Sequence, residues 1–135
     1  MTDSPPTGKH ILVVDDTKEV LELFRDIIEA MGHRVTAMTF APTDLAEVIK
    51  VGPDLVILDL LIGGETGGWQ LAQKMRMSHE TENIPVVICT TATKELRDQE
   101  NALVAQAMTI VLKPFSIDDL ETAINTAWKL PELMS

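Results

Sequence analysis

The chain has 135 residues, of which 45% are hydrophobic, so it is long enough for one globular domain with a buried core. It carries 21 acidic and 11 basic residues, a net charge of −10, which argues against nucleic acid as a direct partner because phosphate binding depends on Lys and Arg. Cys89 is the single cysteine, so we expect no disulfide within the chain. The first residues do not have the pattern of a signal peptide, and no apolar run approaches the roughly 18 residues of a membrane span. We therefore expect a cytoplasmic chain without membrane contact.

Short apolar runs alternate along the chain with longer segments in which apolar residues recur at helical spacing. In chain order the predicted elements are a strand at 11–14, a helix from about 17 to 32, a strand at 33–39, a helix at 42–52, a strand at 54–60, a helix at 69–77, a strand at 86–89, a helix at 94–107, a strand at 108–112 and a helix at 117–131. We expect residues 1–8 to form a disordered lead, residues 9–130 one domain and residues 131–135 a short tail.

The residues at the predicted helix ends are of the types that commonly begin or end a helix. Gly32 is placed to cap the first helix, and Pro42 fits the first turn of the second. Ser116 and Asp119 are spaced for a capping box on the last helix, which Pro131 is expected to end. Apolar residues predicted to face the core from the first, second, third and last helices are Val20, Phe24, Ile27, Ile28, Met31, Leu45, Val48, Ile49, Trp69, Leu71, Ala72, Met75, Met77, Ile117, Leu120, Ile124, Ala127 and Trp128.

Alternation at this spacing predicts an α/β fold, a doubly wound five-stranded parallel sheet with helices on both faces. Ligands of such sheets bind beyond the carboxyl ends of the strands. Polar side chains follow four of the predicted strands, namely Asp15, Asp16, Asp59, Thr90, Thr91 and Lys113. The sequence therefore predicts one acidic site with a single lysine at this edge of the sheet.

Three carboxylates at one edge repel each other, at a cost of about 4 kcal/mol for two unit charges about 4 Å apart at an effective dielectric constant of about 20. Lys113 supplies one positive charge, which leaves a surplus of negative charge. Mg²⁺ prefers oxygen ligands and commonly takes one or two carboxylates, so we predict that it binds here. With a cation and an ammonium group present, a carboxylate oxygen can attack phosphorus.

In these residues the chain resembles the receiver domain of two-component response regulators, which has a flavodoxin-like sheet, over about residues 9–129. The similar elements are the metal-binding acid pair at Asp15-Asp16, the phosphoacceptor at Asp59, the Thr-Ala step at Thr91-Ala92 and the Lys-Pro-Phe turn at Lys113-Pro114-Phe115. Each element alone is common in α/β proteins, whereas all of them in this order form a specific signal.

The resemblance implies that Asp59 accepts a phosphoryl group from a phosphohistidine of a histidine kinase or a histidine phosphotransfer protein. Asp16, Asp59 and the backbone carbonyl of Leu61 would bind Mg²⁺, and Asp15 would act through a bound water. Lys113 would pair with Asp59 and then with the phosphoryl group. Such a chain is a signalling phosphoacceptor, which takes up the group with Mg²⁺ and loses it by itself, rather than an enzyme.

The resemblance also implies a switch. Thr91, favoured over its neighbour Thr90 by the following Ala92, would hydrogen-bond the phosphoryl oxygens and move inward. A downstream protein target or a second copy would then bind the face formed by residues 94–128. Because Leu61 is apolar and cannot orient water, we expect slow loss of the phosphoryl group.

Three features depart from the family pattern. The loop after Asp59 lacks the usual proline and contains four glycines, with Gly67 in the expected glycine place, so we expect a mobile loop. Ile110 stands where the family usually has an aromatic switch residue. The usual Gly-Ala step before the fifth strand is replaced by residues 106–108, Gln-Ala-Met. These departures bear on the readout rather than on phosphorylation.

Two alternatives stay open on the sequence alone. Ile110 and the altered loop are compatible with a receiver-like adaptor that is insensitive to phosphate and acts only by protein binding. A phosphatase of the haloacid-dehalogenase type also uses an aspartate nucleophile and Mg²⁺, but it needs a second aspartate two residues later, where this chain has Thr17 and Leu61. The chain could also be a fragment of a larger regulator.

Overall fold

The computed structural model describes residues 6–91, 94, 96–98 and 107–134. The five strands are β1 (His10–Val14), β2 (Arg34–Met38), β3 (Leu55–Leu58), β4 (Val86–Thr90) and β5 (Thr109–Leu112). The four helices bounded within the described residues are α1 (Lys18–Ala30), α2 (Ala46–Val51), α3 (Gly67–Arg76) and α4 (Ile117–Met134). Of the helix predicted at 94–107, Lys94 and residues 96–98 are helical, and most of the remainder lies outside the described residues.

The strands form one parallel sheet in the order β2-β1-β3-β4-β5, which confirms the predicted fold class. Val14 pairs with Leu58, and Leu58 pairs with Ile88, so β1, β3 and β4 reach the same edge of the sheet together. Parallel pairing with helical crossovers is what the buried, apolar strands favour, since both faces must be covered. The acids that follow β1 and β3 are thereby brought to one place.

Two apolar cores cover the two faces of the sheet. On one face, Ile11 and Val13 of β1 pack with α1 and α4, and on the other, Leu12 and Val14 pack with α2 and α3. This division follows from the alternation of side chains along a strand. Among the described residues, no helix has both the length and the apolar character needed to cross a membrane.

Five predicted positions differ in the structure, and the first is Ile49 of α2, which was predicted to face the core and is 37% exposed. Pro42 lies before α2, which begins at Ala46, because Asp44 Oδ1 accepts a hydrogen bond from the Ala46 N–H and starts the helix there. Met77 is 85% exposed and Ile117 is 57% exposed, since each stands at a helix end rather than over the sheet. Helix α4 continues through Pro131 to Met134, so the predicted tail is largely helical.

The other helix ends agree with the sequence. Ser116 Oγ accepts a hydrogen bond from the Asp119 N–H at 3.0 Å, and Asp119 Oδ2 accepts one from the Ser116 N–H at 3.1 Å, which completes the predicted capping box. Gly32 follows α1 with φ +89°, and Gly52 ends α2 in the left-handed conformation. Of the predicted lead, Gly8 donates a backbone hydrogen bond to the Gly32 carbonyl.

His33 is a buried histidine at the opposite edge of the sheet from the acids. The residue is 4% exposed, its Nδ1 accepts a hydrogen bond from the Lys9 N–H at 3.2 Å, and its ring packs against Trp128 of α4. Burial lowers the pKa of His33, the charge of Lys9 lowers it further, and Asp54 opposes them. The fold therefore holds the neutral ring.

We expect the free energy of unfolding to fall with pH below about 6.5, the ordinary histidine pKa, because the unfolded state then binds a proton that the folded state resists. In His33→Gln this part of the pH dependence should be lost, whereas His79→Gln should keep it, since His79 is exposed. Urea unfolding of the three proteins between pH 5 and 7.5 measures the difference. Equal pH dependence in wild type and His33→Gln would contradict the assignment.

Candidate functional site

The site is built around Lys113, which lies between two carboxylates at the carboxyl edge of the sheet. Its Nζ donates hydrogen bonds to Asp15 Oδ2 at 2.5 Å and to Asp59 Oδ2 at 2.9 Å. Asp15 is 1% exposed and Asp59 is 8% exposed, so these ion pairs are largely shielded from water. Asp15, Asp59 and Lys113, which are far apart in sequence, thus lie together. Their positions directly after three strands predicted this.

The backbone around Lys113 fixes its place. The Lys113 N–H donates to the Thr90 carbonyl at 3.0 Å, which extends the pairing of β4 and β5 by one residue. The peptide bond between Lys113 and Pro114 is cis, and the ring of Phe115 stacks on Phe24 of α1 with centroids 5.2 Å apart. The turn after β5 is therefore anchored in the core, and the lysine side chain points back over the sheet edge to the acids.

The charges around Lys113 determine the direction in which its pKa is shifted. Burial lowers the pKa of Lys113, but the hydrogen bonds and charges of Asp15 and Asp59 outweigh burial and hold it above its usual value. Lys113 is consequently charged at neutral pH. Burial is also the main reason that the pKa of the Cys89 thiol rises to about 12, which makes it an unreactive core residue.

The threonine beside Asp59 is Thr90, and the prediction of Thr91 is wrong in this respect. Thr90 is fully buried, and its Oγ1 donates to Asp59 Oδ1 at 2.6 Å, whereas Thr91 is exposed. Thr91 was favoured because Ala92 follows it, and this local motif does not show which hydroxyl reaches an aspartate one residue beyond β3. Ala92 lies outside the described residues.

The segment after Asp59 forms a tight turn, and the mobility expected from its glycines stays a prediction. Ile62 and Glu65 exchange two backbone hydrogen bonds of 2.9 and 3.2 Å. Gly63 and Gly64, which lie between these two residues, have φ of +63° and +78°. A two-residue type I′ hairpin turn requires positive φ at both of its central residues. Two glycines in sequence are the signal by which this turn could have been predicted.

Gly68 is the glycine that the site requires. A Cβ atom on Gly68 would lie 1.5 Å from the backbone oxygen of Asp59, whereas one on Gly67 would meet only the Ala41 side chain at 3.2 Å. The prediction placed the required glycine at Gly67, one residue early. Both glycines belong to the first turn of α3, and the absence of a side chain at Gly68 lets this helix start against the backbone of the phosphoacceptor candidate.

Asp16 is placed differently from Asp15. Its side chain is exposed, and its Oδ2 accepts a hydrogen bond from the Gly63 N–H at 2.8 Å. Asp15 is enclosed, since its Oδ1 also accepts from the Thr17 N–H at 2.9 Å. Of the two neighbouring acids, Asp16 is thus the one that a cation arriving from solvent can reach directly.

The donor set fits a magnesium ion with a mostly aqueous shell. Within residues 6–91, 94, 96–98 and 107–134, no cluster of three or more His, Cys, Asp or Glu side chains could hold a metal ion. Mg²⁺ does not need one, because one or two carboxylates with waters are its common protein ligands. An exposed Asp16 carboxylate, the Asp59 carboxylate and the half-buried Leu61 backbone meet that requirement, and Lys113 alone does not balance the three acids.

Ile110, in the place of the family's aromatic residue, is half-buried and packs against the core that includes α3. Ala107, just before β5, has φ +58°, a left-handed conformation that favours glycine. Ala107 therefore has a backbone conformation that alanine does not favour.

Comparison with known proteins agrees with this geometry. A model of the family "Response regulator receiver domain" matches residues 11–125. The chain is 29% identical over 113 residues to the phosphate regulon transcriptional regulatory protein PhoB of Pseudomonas aeruginosa, a match that covers 84% of this chain and 48% of PhoB. This chain thus spans about half the length of that relative.

Solved structures share the fold. The chemotaxis response regulator CheY4 of Vibrio cholerae superposes with a TM-score of 0.73 at 24% identity, covering 87% of this chain and 97% of CheY4. The receiver domain of the sensor histidine kinase PA1611 of Pseudomonas aeruginosa, which holds a magnesium ion in its active-site cleft, gives 0.74 at 17% identity, covering 90% of this chain and 98% of that domain. With a family model that spans most of its length, this sheet and this edge of acids, the chain belongs to the response regulator receiver domains of two-component systems.

Proposed function

We propose that the chain is a phosphoacceptor module in which Asp59 takes a phosphoryl group from a phosphohistidine of a histidine kinase or a histidine phosphotransfer protein. A carboxylate oxygen of Asp59 forms a bond to phosphorus while the bond from phosphorus to the imidazole nitrogen breaks. The electron pair of that bond stays on the imidazole, which then takes up a proton. The product is an acyl phosphate on Asp59.

The single observation that carries this proposal is the way Asp59 is held. One carboxylate oxygen accepts from Lys113 Nζ, and the other accepts from the Thr90 hydroxyl and the Leu61 N–H. Such donors hold the carboxylate in one orientation, and they are in place to bind the oxygens of an arriving phosphoryl group. Thr90 takes the role that was predicted for Thr91.

Mg²⁺, when bound, would neutralise charge on the phosphoryl group as it moves. Asp16, Asp59 and the backbone carbonyl of Leu61 would hold the ion, with Asp15 acting through a water and pairing mainly with Lys113. Leu61 has no polar atom in its side chain to orient a hydrolytic water, so the acyl phosphate should persist, and the chain acts in signalling rather than as an enzyme with turnover.

The output would pass through the face that includes β5 and α4. A groove of about 500 Å³ lies there, lined among others by Ile110, Leu112, Asp118, Asp119 and Thr122. Its acidic rim and the net charge of −10 favour a downstream protein with a basic surface over a second copy of this chain. The segment before β5, part of the predicted face, lies mostly outside the described residues.

The phosphate-insensitive adaptor remains the second candidate, because Ile110 stands where the family has an aromatic residue that swings inward to report the switch. The two candidates differ in one property. A phosphoacceptor module changes its affinity for its partner with acetyl phosphate and Mg²⁺, whereas an adaptor binds equally in both conditions.

Acetyl phosphate with Mg²⁺ should add the mass of one phosphoryl group to the wild-type protein, and Asp59→Asn should show no gain, because the amide cannot attack phosphorus. Asp26→Asn, which changes an exposed acid of α1, is the matched control and should gain mass as wild type does. Intact-protein mass spectrometry with and without Mg²⁺ measures this. A gain that persists in Asp59→Asn would refute the assignment.

A further inference from the structure

The turn after β3 makes a contact that the proposed phosphotransfer does not by itself require. The Gly63 N–H donates to Asp16 Oδ2 at 2.8 Å across 47 positions of sequence. Within the described part of the chain this is the sole hydrogen bond to the Asp16 carboxylate. By contrast, Asp15 is held by Lys113 and by the Thr17 N–H.

An exposed aspartate with one hydrogen bond depends on that bond for its orientation. Without it, the side chain samples several rotamers, and a cation must select one of them at an entropic cost. The hydrogen bond occupies Oδ2 and leaves Oδ1 without a protein donor among the described residues. The turn therefore presents one carboxylate oxygen of Asp16 to the solvent side of the site.

The turn itself is built to hold the Gly63 N–H in place. Ile62 and Glu65 close it with two backbone hydrogen bonds, and Ile62 is 7% exposed and packs in the core. A Cβ on Gly63 or Gly64 would meet no atom within 4 Å. The two glycines are thus required for their positive φ alone, not for space, so backbone conformation can be tested apart from packing.

We propose that the Ile62–Glu65 turn is a positioning device for the metal ligand Asp16, which orients its carboxylate before Mg²⁺ binds. This inference rests on the proposed function, since it takes Asp16 as a magnesium ligand. Hydrogen bonds to ligating carboxylates commonly change metal affinity by about 10-fold to 100-fold when they are lost. In this chain the double glycine would replace the proline loop of the family by a rigid turn that serves the metal.

Two substitutions at one position separate the effect of the turn from other effects. Gly63→Asn keeps the turn, because Asn adopts positive φ readily, whereas the β-branched side chain of Gly63→Val disfavours it. In isothermal titration with Mg²⁺ we expect the Val variant to bind roughly tenfold more weakly than wild type and the Asn variant to stay within about twofold. Equal affinity of the Val and Asn variants would overturn the inference.

A second measurement needs no substitution in the turn. Amide hydrogen exchange of the metal-free wild type should show the Gly63 N–H protected, and Asp16→Ala should remove that protection. An unprotected Gly63 amide in the folded wild type would also overturn the inference. Absence of Mg²⁺ binding in wild type would instead remove the magnesium site of the proposed function, with the exchange result still testing the contact itself.

Discussion

Lys113→Ala is expected to lower the free energy of unfolding by about 3 kcal/mol in the absence of Mg²⁺. The substitution leaves Asp15 and Asp59, 1% and 8% exposed, beside each other without the ammonium that now bonds to both. Removing one partner from a buried ion pair is costly because the remaining charges have neither water nor a counterion. Urea unfolding at neutral pH measures the loss.

Lys74→Ala is the matched control, because Lys74 is exposed and its Nζ donates only to the Thr43 carbonyl among the described residues. It should change the free energy of unfolding by less than about 0.5 kcal/mol. Added Mg²⁺ should restore more stability to Lys113→Ala than to wild type, since a cation then replaces the missing charge. If Lys113→Ala and Lys74→Ala have the same free energy of unfolding, the ion pairs of Lys113 do not stabilise the fold.

Gly68→Ala is expected to lower the free energy of unfolding by about 3 kcal/mol, at the upper end of what added volume usually costs. The new methyl group would lie 1.5 Å from the Asp59 oxygen and 2.7 Å from the Asp59 carbonyl carbon, which are backbone atoms that cannot rotate away. Helix α3 must then shift, and the hydrogen bond from the Trp69 N–H to the Leu60 carbonyl is strained. The same shift should slow phosphorylation, because it moves the backbone of Asp59.

Gly67→Ala provides the comparison within the same helix turn. Its Cβ would meet only the Ala41 methyl group at 3.2 Å, and alanine stabilises a helix by up to about 1 kcal/mol relative to glycine. We expect little net change in stability and a normal rate of phosphorylation. Urea unfolding and the rate of mass gain with acetyl phosphate would distinguish the two variants, and equal behaviour would show that the close approach at Gly68 is unimportant.

The sequence was sufficient for the sheet and for the residues that meet at its edge. Continuous apolar runs require burial on both faces, and this requirement, together with helical crossovers, leaves little choice but a parallel sheet. Asp15, Asp59 and Lys113 each stand directly after a strand, so the parallel direction alone brings them together. Their contacts in the structure follow from that direction and not from any local motif.

Other features of the site depend on geometry beyond the strand ends, where periodicity gives no information. Thr90 rather than Thr91 reaches Asp59, because Asp59 has already left the pleat of β3. Gly68 rather than Gly67 is the glycine that the site requires, because only a Cβ at Gly68 would overlap the Asp59 backbone. A difference of one residue near a strand end changes which side chain faces the site. The spacing of apolar residues does not predict such a difference.

We expect Asp59 itself to become the acyl phosphate, with Lys113 and Thr90 beside it. Borohydride reduction of the protein after treatment with acetyl phosphate and Mg²⁺ converts a phosphorylated aspartate into an alcohol, and peptide mapping by mass spectrometry then locates it. Conversion is expected at Asp59 alone. Conversion at Asp15 or Asp16 with Asp59 intact, or no conversion at any aspartate, would contradict it.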